Sequence, residues 1–222
     1  MVFPGSFDDE AASAVLTQSV LQVYKSTTRH VLDSLLRSSL LEVNERTSRY
    51  QYHRLIREYF LYYINLLGYR PLYYPISAYR VHYAEKLMFA SNLFKYDHHK
   101  SLSVLYSEQH NFQLLLDYLR TSRSLSGDFL LSVISMTNAI EVGLLRLRFT
   151  TADWCEPVRN ALVHLDVLAT NLNWYHSTDF SQETILCCYI QLIKQLAKCQ
   201  DCLLYTSPSP RDATLSRMPS SA

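Results

Sequence analysis

The first 68 residues carry a hydrophobic pattern whose period changes from that of a helix to that of a strand and back. In two segments apolar residues recur at i, i+1, i+4 and i+5, the spacing of one helix face. Asp8 or Asp9 stands before the first segment and Thr28 before the second, and these residue types cap helices. The two predicted faces consist of Ala11, Ala12, Val15 and Leu16, and of Val31, Leu32, Leu35 and Leu36.

A short β-hairpin and a third helix come next in the chain. Residues 41–43 and 49–52 alternate in polarity, and the polar run 45–48 between them is typical of a turn. The helical period returns at His53, and Gly68 stands where a glycine often ends a helix. Helix, helix, hairpin and helix is the order of a winged helix-turn-helix, so we expect a winged-helix domain over residues 1–68.

Residues 69–201 have the pattern of a helical array. The predicted helices lie near 76–95, 99–121 with a break near 108, 127–148, 154–173 and 181–201. Their clearest apolar stripes are Phe112, Leu115, Leu116 and Leu119, and Val158, Leu162, Leu165 and Leu168. The fold class is therefore mainly α, with paired helices in a tetratricopeptide-like (TPR-like) array. The 34-residue consensus of that repeat is not found, so the label describes architecture alone.

Composition narrows the possible functions. Only 4 of the 222 residues are glycine, and no G-x-x-x-x-G-K-[ST] phosphate loop occurs. No nucleophile with a partner base and no pair of catalytic carboxylates stands out, so we do not expect an enzyme. The 21 basic and 20 acidic residues give a net charge of +1, which disfavours nucleic acid or an anionic membrane as a partner. No membrane span or signal peptide is predicted, so we expect a cytoplasmic protein.

The end of the chain has a composition of its own. Residues 202–222 resemble a translated sequencing-library adapter, with a sample index at 213–215, and they hold three of the seven prolines. We therefore expect a disordered, non-native tail and a natural protein that continued past Asp201. The C-x-x-C spacing of Cys199 and Cys202 is then neither a redox nor a zinc motif. The five cysteines are expected to be free thiols.

Three runs in the N-terminal unit carry a resemblance to a known family. They are residues 2–8, residues 30–41 and, most specifically, residues 49–59 (RYQYHRLIREY). These runs resemble the winged helix of STAND-class signalling ATPases, the NB-ARC- and NACHT-related switches of apoptosis and innate immunity. A weaker likeness extends over residues 83–119, where Glu108 and Asn111 precede the leucine stripe.

The resemblance implies a nucleotide switch. The histidine at the position of His53 is expected to contact the β-phosphate of ADP in a neighbouring ATPase domain and to hold the inactive state. Arg54 stands where the family usually has aspartate, which puts the acidic latch in doubt. By this resemblance the chain is a fragment without a cofactor of its own. ADP or ATP and the nucleotide-binding domain belong upstream in the parent, and protein ligands bind the helical array.

Other interpretations of the same residues stay open. His53 can instead be a helix-capping or wing-packing histidine without a ligand. Asp97, His98 and His99 can seed a metal site, but a polar helix start is the preferred interpretation. Cys187 and Cys188 are interpreted as buried thiols on an apolar helix.

Two alternatives remain at the level of the whole protein. The first is a helical-repeat interaction scaffold without a nucleotide role. The second is a winged-helix DNA-binding protein, with residues 28–37 as recognition helix and eight tyrosines between Tyr59 and Tyr83 as stacking groups. Only Arg29, His30 and Arg37 would face phosphates in that helix, against Asp33, so nucleic acid is disfavoured.

Overall fold

The protein is mainly helical with one small antiparallel sheet. The computed structural model describes residues 3–17, 25–67, 73–123, 126–170 and 182–206. The N-terminal elements are α1 (Asp9–Thr17), α2 (Lys25–Arg37), β1 (Leu41–Asn44), β2 (Arg49–Tyr52) and α3 (Arg54–Leu67). The helices after them are α4 (Tyr73–Leu93), α5 (His98–Ser107), α6 (Gln109–Thr121), α7 (Gly127–Glu141), α8 (Thr151–Thr170) and α9 (Gln182–Thr206).

One of the two predicted N-terminal helix caps is confirmed. The Ala11 amide donates to Oδ1 of Asp8 at 2.8 Å, and α1 begins at the next residue. The cap predicted at Thr28 is wrong, because α2 already begins at Lys25. Thr28 therefore lies inside the helix, where its buried hydroxyl has no hydrogen-bond partner within the described residues.

The predicted hairpin is confirmed and is extended by the segment before α1. β1 and β2 pair antiparallel, and Asn44 at the turn accepts the amides of Arg46 and Thr47. Phe7 forms a β-bridge to Tyr50 with two backbone hydrogen bonds of 2.8 and 2.9 Å. The Phe7 ring is buried and stacks on Phe3, so residues 3–7 pack against the hairpin.

The helical region packs around α4. This helix contacts α1, α5, α6 and α7, while α6 contacts α8 and α7 contacts α9. The predicted stripe on α6 is fully buried, and on α8 Val158 and Leu165 are buried. One continuous cluster of buried apolar side chains runs from Phe3 to Leu192, across both sides of the boundary predicted at residue 68. That boundary stays a prediction.

The structure tests three of the predicted helix boundaries. The break predicted near 108 is confirmed, because α5 ends at Ser107 and α6 begins at Gln109. The single helix predicted over 127–148 ends at Glu141, since Gly143 adopts a positive φ of 81° and a 3-10 turn comes after it over Leu145–Leu147. The last helix, predicted to end near 201, continues to Thr206.

Several predictions fall wholly or partly on residues that are not described. Gly68 and residues 207–222 lie outside the described residues, and so do the side chains of Leu168, Cys199 and Cys202. Among the helices of the described ranges, none combines the length and apolar character that crossing a bilayer requires. The part of the chain that is described therefore does not supply a transmembrane helix.

Candidate functional site

His53 lies between β2 and α3, at the N-terminus of the third helix. Its Nδ1 accepts the backbone N–H of Leu55 at 3.3 Å, so the side chain caps the helix. An Nδ1 that accepts a hydrogen bond carries no proton, and the neutral ring therefore holds its proton on Nε2. The side chain is 43% exposed, and Nε2 lies 3.8 Å from Oε1 of Glu42 on β1. The ring thus has one nitrogen bound to its own helix and one donor directed outward.

Arg54, the second residue predicted for the site, begins α3 and is exposed. The first turn of a helix has free N–H groups and the positive end of the helix dipole. His53, Arg54 and the positive end of the helix dipole together form an electropositive helix start. Glu42 is the acidic group beside it, so any anion at this position has to compete with that carboxylate.

A buried ion pair was not predicted, and it connects the hairpin to the helical array. The guanidinium of Arg49 donates to both carboxylate oxygens of Glu108, at 2.7 and 2.8 Å. It also donates to the hydroxyl and carbonyl oxygens of Ser6, at 2.9 and 2.7 Å. The Glu108 side chain is only 1% exposed, so this is a bidentate ion pair removed from water.

Lys86 and Asp8 complete the ionic cluster. Nζ of Lys86 on α4 lies 2.6 Å from Oδ2 of Asp8 and 2.8 Å from Oε1 of Glu108. Asn111 donates to the second Glu108 oxygen at 2.8 Å and to the Ser6 carbonyl at 3.0 Å. We call Asp8, Arg49, Lys86 and Glu108 the quartet; Glu108 is buried and the other three side chains are partly buried. The quartet contains two cations and two anions, so its formal charge is zero.

The quartet is held in its charged form. Burial alone would raise the pKa of Glu108, but hydrogen bonds from Arg49 and Lys86 outweigh burial and lower that pKa below its ordinary value. The pKa of Asp8 is lowered in the same way: burial opposes the shift, and Lys86 and the Ala11 amide produce it. Burial likewise acts against the charge of Lys86, yet its carboxylate partners raise its pKa. Each of the three pKa shifts favours the charged form of its group.

A sequence signal for Glu108 did exist. Phe112, Leu115 and Leu119 follow one another at spacings of three or four residues, and Leu105 lies seven residues before Phe112, so Glu108 fills the missing position between them. All four apolar residues are buried. An acidic residue on a buried stripe needs a cationic partner, but the partner itself, 59 positions earlier in the chain, has no local signal.

The structure also tests the predictions for the other titratable groups. Asp97 accepts the Lys100 amide at 3.0 Å and caps α5, which confirms a polar helix start at residues 97–99. Within the described residues no cluster of three or more His, Cys, Asp or Glu side chains has metal-site geometry. The prediction for the paired cysteines is half wrong: Cys188 is buried, but Cys187 is exposed on α9. Burial, reinforced by Cys187, raises the pKa of the Cys188 thiol to about 11.

Comparison with known proteins identifies no relative of this chain. No family model, no curated protein and no solved structure matches the chain. A proposal for its function therefore rests on the geometry of the described residues and on the sequence resemblance.

Proposed function

We propose that this chain is a regulatory segment of a STAND-type signalling ATPase. In this proposal residues 1–68 are a winged-helix sensor, and residues 69–201 are a TPR-like array that binds protein ligands in the cytoplasm. The ADP or ATP is bound by a nucleotide-binding domain elsewhere in the parent protein. In this proposal His53 and the adjacent Arg54 contact the nucleotide, and the chain supplies no catalytic residue to the parent protein.

The geometry of His53 is the observation that carries this proposal. Its Nδ1 is occupied by the Leu55 amide, so the outward Nε2 is a hydrogen-bond donor. A donor at a helix N-terminus, with Arg54 beside it, suits a phosphate oxygen. A nucleotide whose phosphates reach this position stabilises one domain arrangement over others, which is the requirement for a switch.

Arg54 gives the proposed contact a different charge from that of the family pattern. An exposed guanidinium at the first position of α3 attracts phosphate, whereas the usual aspartate would repel it. Glu42 faces Nε2 of His53 at 3.8 Å in the structure. We infer that His53 exchanges Glu42 for phosphate when the nucleotide-bearing domain docks.

The test uses the parent protein with its nucleotide-binding domain, after its upstream coding sequence is recovered. His53→Ala is expected to weaken ADP retention by about tenfold, the effect of losing one charge-assisted hydrogen bond. His30→Ala, at an exposed histidine on α2, is the matched control and should retain ADP normally. Equal retention by both variants, or the absence of a phosphate loop upstream, would reject the nucleotide function.

A second function, an interaction scaffold without nucleotide, is favoured by a different observation. Large apolar side chains on α3 are exposed, with Leu55 at 71% and Leu66 at 68%. Exposed apolar surface of this kind is typical of protein-binding surfaces. Nucleotide-dependent release of residues 1–68 in the parent protein supports the switch, whereas partner binding that ignores nucleotide supports the scaffold.

A further inference from the structure

Two clefts meet along the exposed face of α6. The first has a volume of about 540 Å³ and lies between residues 3–6, β2, the start of α3 and α6. The second, of about 400 Å³, lies between α4 and α6. Leu114 and Asp117 line both clefts, so the two clefts are adjacent. We call the two clefts together, centred on Leu114, the α6 groove.

The middle and the ends of the α6 groove offer apolar surface. Leu114 is 39% exposed at the point where the two clefts meet. Tyr52 lines one end, and Ile76 and Tyr118 line the other. Each cleft falls in the range of about 300–1,000 Å³ that ligand-binding sites occupy. The α6 groove therefore has room for an apolar side chain of a ligand over Leu114.

The charges along the α6 groove are not balanced. Arg120 pairs with Asp117 at 3.0 Å, and Arg80 pairs with the buried Asp128 at 3.2 Å. Arg57 lines the same groove and is partly buried, yet no carboxylate within the described residues lies within ion-pair distance of it. A half-buried arginine without a counter-ion favours the binding of a carboxylate from outside.

We propose that the α6 groove binds a short acidic peptide segment of a partner protein. A glutamate or aspartate of the peptide pairs with Arg57, and an apolar side chain two or three residues away packs on Leu114. The planar guanidinium of an arginine can donate two parallel hydrogen bonds to the two oxygens of a carboxylate. Gln113, which also lines the groove, offers one donor and one acceptor group to the peptide backbone. This binding does not depend on His53 or on nucleotide.

The test titrates the full 222-residue chain with fluorophore-labelled peptides. The panel has a central Leu, Phe, Trp or Gly flanked on each side by two glutamates, together with the same peptides carrying glutamine in place of glutamate. Binding is expected for the glutamate peptides with an apolar centre, and at least tenfold weaker binding for the glycine-centred and glutamine peptides. Arg57→Glu and Leu114→Ala should each weaken binding by about tenfold, as expected for anchor residues.

Matched variants separate the groove from general charge effects. Arg37→Glu changes an exposed arginine at the end of α2, and Leu147→Ala removes an exposed leucine outside the groove. Both should bind like the original chain, and circular dichroism should show that all four variants are folded. Equal affinity for glutamate and glutamine peptides, equal effects of Arg57→Glu and Arg37→Glu, or no binding by any peptide at about 1 mM would overturn the proposal. None of these outcomes bears on ADP retention.

Discussion

The guanidinium of Arg49 on β2 donates one hydrogen bond to each carboxylate oxygen of Glu108, although 59 positions separate the two residues in the chain. A bidentate pair of this kind has one geometry, unlike a contact between a point charge and a carboxylate. Because Lys86 and Asn111 saturate the same carboxylate, Glu108 fixes the hairpin, α4 and α6 relative to one another. The pair should therefore influence both the stability of the fold and its response to acid.

Glu108→Gln should destabilise the fold by about 3–5 kcal/mol, because Arg49 and Lys86 would remain partly buried with Asp8 as their only carboxylate. Urea denaturation followed by circular dichroism measures the change. Glu45→Gln, at an exposed residue of the hairpin turn, is the control and should change the free energy of unfolding by less than about 0.5 kcal/mol. A similar change in the free energy of unfolding for both substitutions would show that the quartet contributes little to stability.

The quartet also predicts acid sensitivity. Asp8 and Glu108 have pKa values below their ordinary 3.8 and 4.5 in the folded protein, and they return toward those values on unfolding. The unfolded chain therefore binds protons first as the pH falls, so their stabilisation is complete above about pH 4.5 and is lost progressively as the pH falls through the depressed values. Melting temperatures from about pH 7 to about pH 3 measure this loss. Glu108→Gln should flatten the profile, and an unchanged profile would contradict the assignment.

Two glycines should respond to the same substitution with opposite signs. Gly143 has a φ of 81°, and Gly127 begins α7; an added Cβ would meet no atom within 4 Å at either position. Gly143→Ala should cost about 1–2 kcal/mol, because an L-residue is strained in the left-handed region. Gly127→Ala should stabilise by up to about 1 kcal/mol, because alanine restricts the unfolded chain. If urea denaturation shows that Gly143→Ala is as stable as the original chain, a left-handed glycine after the end of α7 is contradicted.

The adjacent thiols of α9 should differ in reactivity. Cys187 is exposed, whereas burial and the neighbouring thiol raise the pKa of Cys188 to about 11, so Cys188 holds almost no thiolate at neutral pH. Iodoacetamide labelling with tandem mass spectrometry should modify Cys187 at least tenfold faster, and denaturant should abolish the difference. Equal labelling rates of Cys187 and Cys188 in the folded protein would mean that α9 packs against its neighbours with a different face.

Those parts of the fold that depend on local sequence patterns were predictable, whereas contacts between residues far apart in the chain were not. The α6 stripe, the hairpin and the break at 108 are dictated by spacing and turn residues within a few positions. Thr28 misled the prediction because a capping residue also occurs inside helices, and Gly143 was overlooked because leucines continue the helical period past it. For the candidate site, His53 was identified through resemblance to a family, and the structure adds its capping contact with α3. The partner of Glu108 required tertiary structure.

The position of Arg49 has a mechanical consequence. It lies four residues before His53, and its ion pair fastens this part of the chain to the beginning of α6. Lys86 of α4 contacts the same Glu108 carboxylate, so a tilt of the hairpin that keeps these contacts intact also tilts α4. The 21-residue helix α4 alone extends about 30 Å, so a tilt of a few degrees at the hairpin becomes a shift of about 2 Å at its far end.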